Sequence, residues 1–465
     1  MKKRILIVGR GTAGTALARD IERRSDSIVA GFLDDRAVGP DVLGGLDDVN
    51  EVVATHAIDL VYFAIPSIDA RTIRDFLGTI VLGDVEIAVI PRTYEILTKD
   101  TVDIDDLTDV DVLDLVGREP VKHDLLSSRE FIEGKRILVT GAAGSIGSRL
   151  VHQIATMNPE SVACVDWWEN GMFALSEELG SDPRMSFHIA DIKNEPLLDR
   201  LFSEHTPDVV FHAAAYKHVP LMQANPLEAV NNNVWGSLNL MRLAIRHRTA
   251  HFVMVSTDKA VNPVNVMGAT KRIGEMMMAS LAAESPTTAF NAVRFGNVIQ
   301  SNGSVMQTFR AQIAARQPLT VTHEDITRYF MTIDEASQLI IQSAFAGEPS
   351  DIFVLDMGEP VKILDLARSL VSAVDPTLEI RIVGLRPGEK MYEELSYEPD
   401  RVGRTANPKI FVTRDSTGFD TVALMGAVDA LLADTLAYRI GSDDAIRRLQ
   451  QMGFAVQAWS SEVLA

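Results

Sequence analysis

Twice in this chain a short apolar run breaks on glycines and restarts as a helical pattern, and that recurrence narrows the fold more than any other feature. The first instance is residues 4–8, then Gly9-Arg10-Gly11-Thr12-Ala13-Gly14, then a helical stretch over 15–24. The second is residues 136–140, then Gly141-Ala142-Ala143-Gly144-Ser145-Ile146-Gly147, then a helix over 145–156. A strand that turns through glycines into a helix opens a βαβ unit, because parallel strands need a crossover between them. Each pattern continues. Residues 28–33, 60–65 and 85–90 read as strands in the first half, the last two closed by Pro66 and Pro91. In the second half 161–166, 185–189, 209–213, 251–256 and 289–295 do the same. The expected fold is α/β with two Rossmann-like parallel sheets, not a repeat array. A length of 465 residues also exceeds one ordinary core.

An acidic stretch, residues 100–114, marks the division. Residues 1–120 form the expected N-terminal domain, 121–134 a linker, 135–415 a second nucleotide-binding domain, and 416–465 a C-terminal helical segment. In that last segment 422–437 and 444–452 read as amphipathic helices without a chemical signature.

The composition is globular, 46% apolar and 23% charged, and the net charge is −20. Nonspecific nucleic-acid binding needs a basic footprint, so no nucleic-acid partner is expected. An anionic substrate would have to be met by a local group of Arg and Lys, against the mean field. The single cysteine, Cys164, excludes an intramolecular disulfide and a cysteine zinc site, and its apolar neighbours read as a buried strand. His123, His152, His205 and His247 show no metal spacing, and no metal is expected. The N-terminal apolar run is too short for a signal peptide, and no stretch reaches the ~18 apolar residues of a membrane span. The expected compartment is the cytoplasm, without membrane insertion.

The two glycine loops differ in what accompanies them. Gly9, Gly11 and Gly14 match Gly-x-Gly-x-x-Gly, with Asp34 about twenty residues on. The loop suits a nucleotide or related ligand, and a retained turn that binds nothing is the other reading. No acid–base group accompanies it, so catalysis is not expected there. Around the second loop, Gly141, Gly144, Ser145, Ile146 and Gly147 bring backbone amides close to a pyrophosphate at a helix N-terminus. Asp166 ends the next strand, where a carboxylate accepts ribose hydroxyls and repels a 2′-phosphate, favouring NAD with NADP as the alternative. Asp191, followed by Ile192, ends the strand after that, within reach of an adenine amine. Trp167 and Trp168 cover the adenine or serve packing.

Residues 256–271 carry the chemistry: Thr257, Asp258 and Lys259 side by side, then Lys271 one helical turn after Met267. With residues 139–147, 212–221, 232–234, 293–298, 327–333 and 385–390, this stretch resembles the extended short-chain dehydrogenase/reductases. Within them it is similar to the nucleotide-sugar 4,6-dehydratases acting on UDP-N-acetylglucosamine, in their long two-domain branch. The resemblance covers roughly residues 135–410 and implies a small C-terminal substrate lobe. It also implies a tightly bound NAD regenerated each cycle, with Ala213, Ala214, Ala215 and Lys271 among its contacts, and a homo-oligomer.

Two departures stand out. Long-branch relatives usually begin with membrane helices, which are not seen in this sequence, so a soluble version is expected. The usual family tyrosine is replaced by Met267, which cannot deprotonate a hydroxyl. That replacement is itself typical of the long branch and leaves the base for the first step open.

The implied reaction is hydride removal from C4, loss of water across C5 and C6, and hydride return to C6. Lys259 is assigned to the C5 proton and Asp258 to the C6 hydroxyl, with the reverse assignment open. Poising Lys259 near neutrality would need a downward shift of about 3 units, or about 4 kcal/mol. Thr257 and Lys271 are expected to orient the C4 hydroxyl and the nicotinamide ribose. For the UDP-sugar, Arg386 suits the diphosphate and Glu389 a ribose diol, with Arg294, Asn297 and Arg328 as further candidates. Lys217 and His218 are placed near the sugar. The alternatives are an NAD-dependent 4-epimerase and a non-catalytic nucleotide-sugar sensor.

Overall fold

The computed structural model describes residues 2–23, 27–64, 85–89, 108–109, 125–299, 301, 303–348, 350–374, 377–397, 402–413 and 420–458. Pro66, Pro91, His123 and most of the acidic stretch 100–114 lie outside them. The chain divides into two compact units. One takes residues 1–119, 309–321 and 361–382, and the other 120–308, 322–360 and 383–465. The second domain is therefore not one continuous stretch from 135 to 415: two segments inside it separate from the rest.

The first unit contains a six-stranded sheet. Its strands are β1 (Lys3–Val8), β2 (Ser27–Leu33), β3 (Val42–Gly44), β4 (Leu60–Phe63), β5 (Glu86–Val89) and β6 (Thr108–Asp109), in the order β3-β2-β1-β4-β5-β6. β1 lies parallel between β2 and β4, and only the short β6 runs antiparallel. Ile5, Ile7, Phe32 and Tyr62 bury one face against Leu17 and Ile21 of the helix Thr12–Arg23. Leu6 and Val8 are buried as well, as in a parallel sheet covered on both sides. In its other segments Leu319–Val321 pairs in parallel with Ile380–Ile382.

The second unit is built on a nine-stranded sheet. In chain order its strands are β7 (Arg136–Thr140), β8 (Ser161–Asp166), β9 (Met185–Ile189), β10 (Val209–His212), β11 (His251–Val255), β12 (Ala289–Arg294), β13 (Ile352–Leu355), β14 (Val402–Arg404) and β15 (Ile410–Thr413). They lie in the order β14-β15-β13-β12-β11-β10-β7-β8-β9, parallel from β9 to β13 and closed by an antiparallel hairpin. Strand order reverses between β7 and β10, so the ends of these two strands open the crevice where such sheets bind ligands.

Successive residues alternate between two cores. Leu138, Val210, Phe252 and Met254 face one, with Met241, Ile273 and Met277. Ile137, Val139, Phe211 and Val253 face the other, with Leu150, Ile154 and Leu339. Two expected boundaries are corrected. The stretch 121–134 is not a plain linker, because Leu125–Ile132 is a helix whose Ile132 is buried in the second of these cores. Nor is 416–465 a separate segment: the helices Thr421–Leu436 and Ser442–Gln451 place Val428, Leu431, Ile446 and Leu449 in the first core. Among the described residues no helix is long and apolar enough to cross a membrane.

Candidate active site

Beyond β7 the chain turns through Gly141 at φ +70°, where a Cβ would lie 2.5 Å from the Ala214 amide nitrogen. Gly147 is tighter, since its Cβ would sit 1.9 Å from the Gly141 carbonyl oxygen. The loop is thus pressed between the end of β10 and the helix Ser145–Ala155, with Gly144 extended at the helix N-cap. Ser145 and Ile146 stand in the first turn, whose amides lack intrahelical partners. Ala213 donates its amide to Thr140 at 3.0 Å, and Ala214 and Ala215 are half-buried beside the loop.

Asp166 accepts the Ala143 amide at 3.1 Å on one oxygen and the Trp168 amide at 3.0 Å on the other. Each oxygen keeps a further lone pair for a hydroxyl. Close glycines, a helix N-terminus and this carboxylate make a donor set that fits a dinucleotide. Trp168 packs on Gly171, and Trp167 is exposed. Asp191 is engaged by Lys193, through its amide at 2.8 Å and its ammonium at 3.2 Å. The Ile192 side chain is buried against Gly236, so any part it takes in holding a ligand falls to its backbone.

The first unit's loop is similarly tight, a Cβ on Gly14 falling 1.9 Å from the Gly9 carbonyl oxygen. Asp34 accepts amides from Arg10 at 2.7 Å and from Arg36 and Ala37 at 2.8 Å each. Burial pushes its carboxyl up, but the three amides prevail and hold it low. The Arg10 guanidinium pairs with Asp41 at 3.0 Å.

β11 ends at Val255, and Thr257, in extended conformation, caps a single 3-10 turn of Asp258–Ala260. That turn buries the Asp258 carboxylate completely. Its Oδ1 accepts the Thr257 hydroxyl at 2.8 Å and the Lys259 ammonium at 3.0 Å, while the buried Oδ2 has no hydrogen-bond partner among the described residues. Lys259 Nζ also lies 3.3 Å from Asn297 Oδ1 and 3.7 Å from Glu393 Oε1. Burial pulls Lys259 down, but Asp258 and Glu393 outweigh it and its pKa is raised. The shift is opposite to the one that poising near neutrality would need, because the ion pair with Asp258 favours the ammonium and Glu393 adds to it.

Asn265 caps the helix Val266–Glu284 through the Gly268 amide at 2.7 Å. A Cβ on Gly268 would fall 2.2 Å from the Lys259 carbonyl oxygen, so the helix start rests directly on the turn that carries Asp258 and Lys259. Met267 is buried in the core. Lys271 is buried too, and desolvation lowers it to about 8, with Glu275 opposing. Among the described residues no hydrogen bond to its ammonium is found, leaving its three donors for a ligand. Asn233, in the π-helical turn Val230–Trp235, brackets Tyr216 through its amide and carbonyl and reaches Thr270 at 3.1 Å. This ties the chain after β10 to the Lys271 helix. Behind it His212 lies 2.8 Å from both Thr140 Oγ1 and Ser237 Oγ, and burial lowers it to about 3.

The expected substrate residues divide. Asn297 joins the cluster through Lys259. Arg328, buried, donates to Glu389 at 3.3 Å and to the Thr327 carbonyl at 2.7 Å. Glu389 also accepts the Arg386 amide at 3.2 Å, and the Arg386 side chain is exposed. Lys217 and His218 are exposed just after β10, with His218 against Gly303. Arg294 is corrected. It is fully buried and gives Glu275 two hydrogen bonds of 2.7 and 2.6 Å, so it serves the core and not a ligand. Glu393 is the residue missed. The run Met391-Tyr392-Glu393-Glu394 signals nothing about which glutamate turns inward. Among the described residues no group of His, Cys, Asp or Glu could hold a metal ion.

A family described as "Polysaccharide biosynthesis protein" matches residues 137–415. The capsular polysaccharide biosynthesis protein CapD of Staphylococcus aureus is 41% identical over 85% of this chain and 68% of its own length. The probable polysaccharide biosynthesis protein EpsC of Bacillus subtilis is 41% identical over 89% of this chain and 72% of its own. Among solved structures, Pen from Bacillus thuringiensis superposes with a TM-score of 0.58 at 33% identity, over 62% of this chain and 89% of that one.

Proposed function

We propose that this chain, which belongs to the polysaccharide biosynthesis protein family, is a nicotinamide-dependent enzyme that modifies nucleotide sugars, and that its reaction is 4,6-dehydration of UDP-N-acetylglucosamine. The observation that carries the reading is the buried Asp258 carboxylate paired with the half-buried Lys259 beside Thr257, on the loop that runs into the Lys271 helix.

A nicotinamide held by the Gly141–Gly147 loop would supply the acceptor for the C4 hydride and its return to C6. The remaining work falls to side chains. Lys271, lowered to about 8, binds ribose hydroxyls and draws the C4 hydroxyl proton through water, a task the Met267 thioether cannot perform. Thr257 holds the hydroxyl in line. Once C4 is a ketone, the C5 proton is acidic, and Asp258 and Lys259, sharing a proton across 3.0 Å, provide the acid for C6 and the base for C5. Each such group contributes about 10²–10⁴ in rate. Arg386 meets the diphosphate, and Glu389, steadied by Arg328, meets a ribose diol.

Incubation with UDP-N-acetylglucosamine in D₂O, followed by mass spectrometry and NMR, tests this. The expected product is lighter by one water and carries deuterium at C5. A product of unchanged mass would instead identify a 4-epimerase, whose chemistry needs no group at C5 or C6. Lys259→Met is expected to lower turnover by at least about 10²-fold. Full turnover in that variant would overturn the assignment.

A further inference from the structure

Residues 388–397 are fastened to the reaction loop along their length. Asn265 Nδ2 donates to the Gly388 carbonyl at 2.9 Å, Lys390 Nζ to the Val261 carbonyl at 2.9 Å, and the Tyr397 hydroxyl to the Ala260 carbonyl at 3.0 Å. Asn262 reaches Glu394 at 3.1 Å. Between these anchors Glu393 turns inward. Its side chain is 3% exposed, with Oε1 3.7 Å from Lys259 Nζ, and its buried Oε2 has no hydrogen-bond partner among the described residues. The neighbouring Glu394 is about half exposed and pairs with Lys390 at 2.8 Å. Glu393 is therefore a fixed feature of the site.

The charged groups facing Glu393 are Asp258 and Lys259 from the reaction loop, Arg328 from the strand Thr327–Arg328, and Lys390 from its own segment. Arg328 is engaged by Glu389 and two backbone carbonyls, and Lys390 by Glu394 and one. That leaves one ammonium, Lys259, between two buried carboxylates. An ammonium so flanked keeps its proton, because losing it would leave two like charges facing each other in a poorly solvated space. With one carboxyl neutral, the remaining carboxylate–ammonium pair can convert to acid and amine without leaving an unpaired charge.

We infer that Glu393 governs the proton on Lys259: as a neutral acid it lets the ammonium pass a proton to Asp258, and as a carboxylate it holds Lys259 protonated and idle. The inference rests on the dehydratase reading of the site. One N–H bond of Lys259 breaks and one O–H bond forms on Asp258, so a single transfer creates both the base for C5 and the acid for C6. During elimination Lys259 gains the C5 proton and Asp258 gives its own to the departing C6 hydroxyl. Elimination returns the cluster to its starting state with one water released. When hydride then returns to C6, C5 takes a solvent-exchangeable proton from Lys259, and the proton lost from the C4 hydroxyl balances it, so the oxidation level is unchanged overall. Burial raises the Glu393 carboxyl and Asp258 adds to this, against Lys259, Arg328 and Lys390. A raised carboxyl is neutral below its pKa, so activity from this control is present at lower pH and lost as pH rises through it.

Glu393 acts through Lys259 and is a positioning residue, so the test reads protonation as well as rate. The pH profile of UDP-N-acetylglucosamine dehydration is measured for the wild type and Glu393→Gln. The infrared carbonyl band of a buried carboxylic acid is followed in both. The amide mimics the neutral acid, so Glu393→Gln is expected to keep turnover within about tenfold near neutrality and to lose the alkaline inflection tied to this group. The wild-type band is expected to fade with rising pH in step with turnover and to be missing from the variant. Should that variant not fold, the joint titration of band and turnover in the wild type decides alone. An unchanged profile in Glu393→Gln, or no acid band titrating with activity, would overturn the inference and leave the dehydratase reading intact. Failure of the wild type to remove water from the sugar would overturn both.

Discussion

Glu275 and Arg294 meet through hydrogen bonds of 2.7 and 2.6 Å in a space closed to solvent. Arg272 adds a third bond at 3.1 Å and Ser256 a fourth at 2.7 Å, and the Tyr397 ring stacks over both guanidinium groups. Burial pushes Glu275 up, but Arg294, Arg272 and Ser256 together bring it down to about 2. Removing the charge would take a shared, fully buried carboxylate from two buried cations, so Glu275→Gln is expected to cost about 3 kcal/mol, read from the urea midpoint. The folded pKa lies below the ordinary 4.5, so this stabilisation is present above 4.5 and is lost as pH falls towards about 2. The acid slope of the midpoint should flatten in the variant. Arg294 shows why a residue's type and neighbours mislead. In Val-Arg-Phe-Gly-Asn it reads as a free cation for a diphosphate. Its partner sits nineteen positions upstream on a helix, a pairing that only the fold reveals. The pairing of Asp258 with Lys259 was legible because the two residues are adjacent letters, whereas Glu393 reaches them only through a tertiary contact.

At the level of elements, the glycine loops carry their own reasons. A methyl on Gly147 would overlap the Gly141 carbonyl at 1.9 Å and force the helix away from the loop. On the proposed reading, Gly147→Ala is expected to lose nicotinamide binding, measured as cofactor content after gel filtration, with the far-ultraviolet dichroism little changed. The strands β7, β8 and β10 were readable because buried parallel strands are near-continuous apolar runs closed by glycine or polar residues. The helix Leu125–Ile132 was not, since eight residues with two central serines give too little period to separate helix from connection. The π-helical turn at Val230–Trp235 was equally hidden: one extra residue per turn leaves no mark in a 3.6-residue pattern.

For the molecule as a whole, the C-terminal helices show that sequence position does not mark a removable tail. Leu431, Ile446 and Leu449 share a core with Ile273 and Met277 of the Lys271 helix. Ending the chain before Thr421 is expected to abolish cooperative unfolding of the second unit, followed by circular dichroism in urea, and not merely to slow turnover. The anchoring of residues 388–397 to the loop of Asp258 and Lys259 has a wider consequence. On the proposed reading, the part that selects a sugar nucleotide also sets the pitch of the machinery that transforms it. Selectivity and speed are then inherited together. A descendant retuned for a new hexose through residues 386–393 would have to re-earn its rate, and one that changed partners freely would first have to cut those ties.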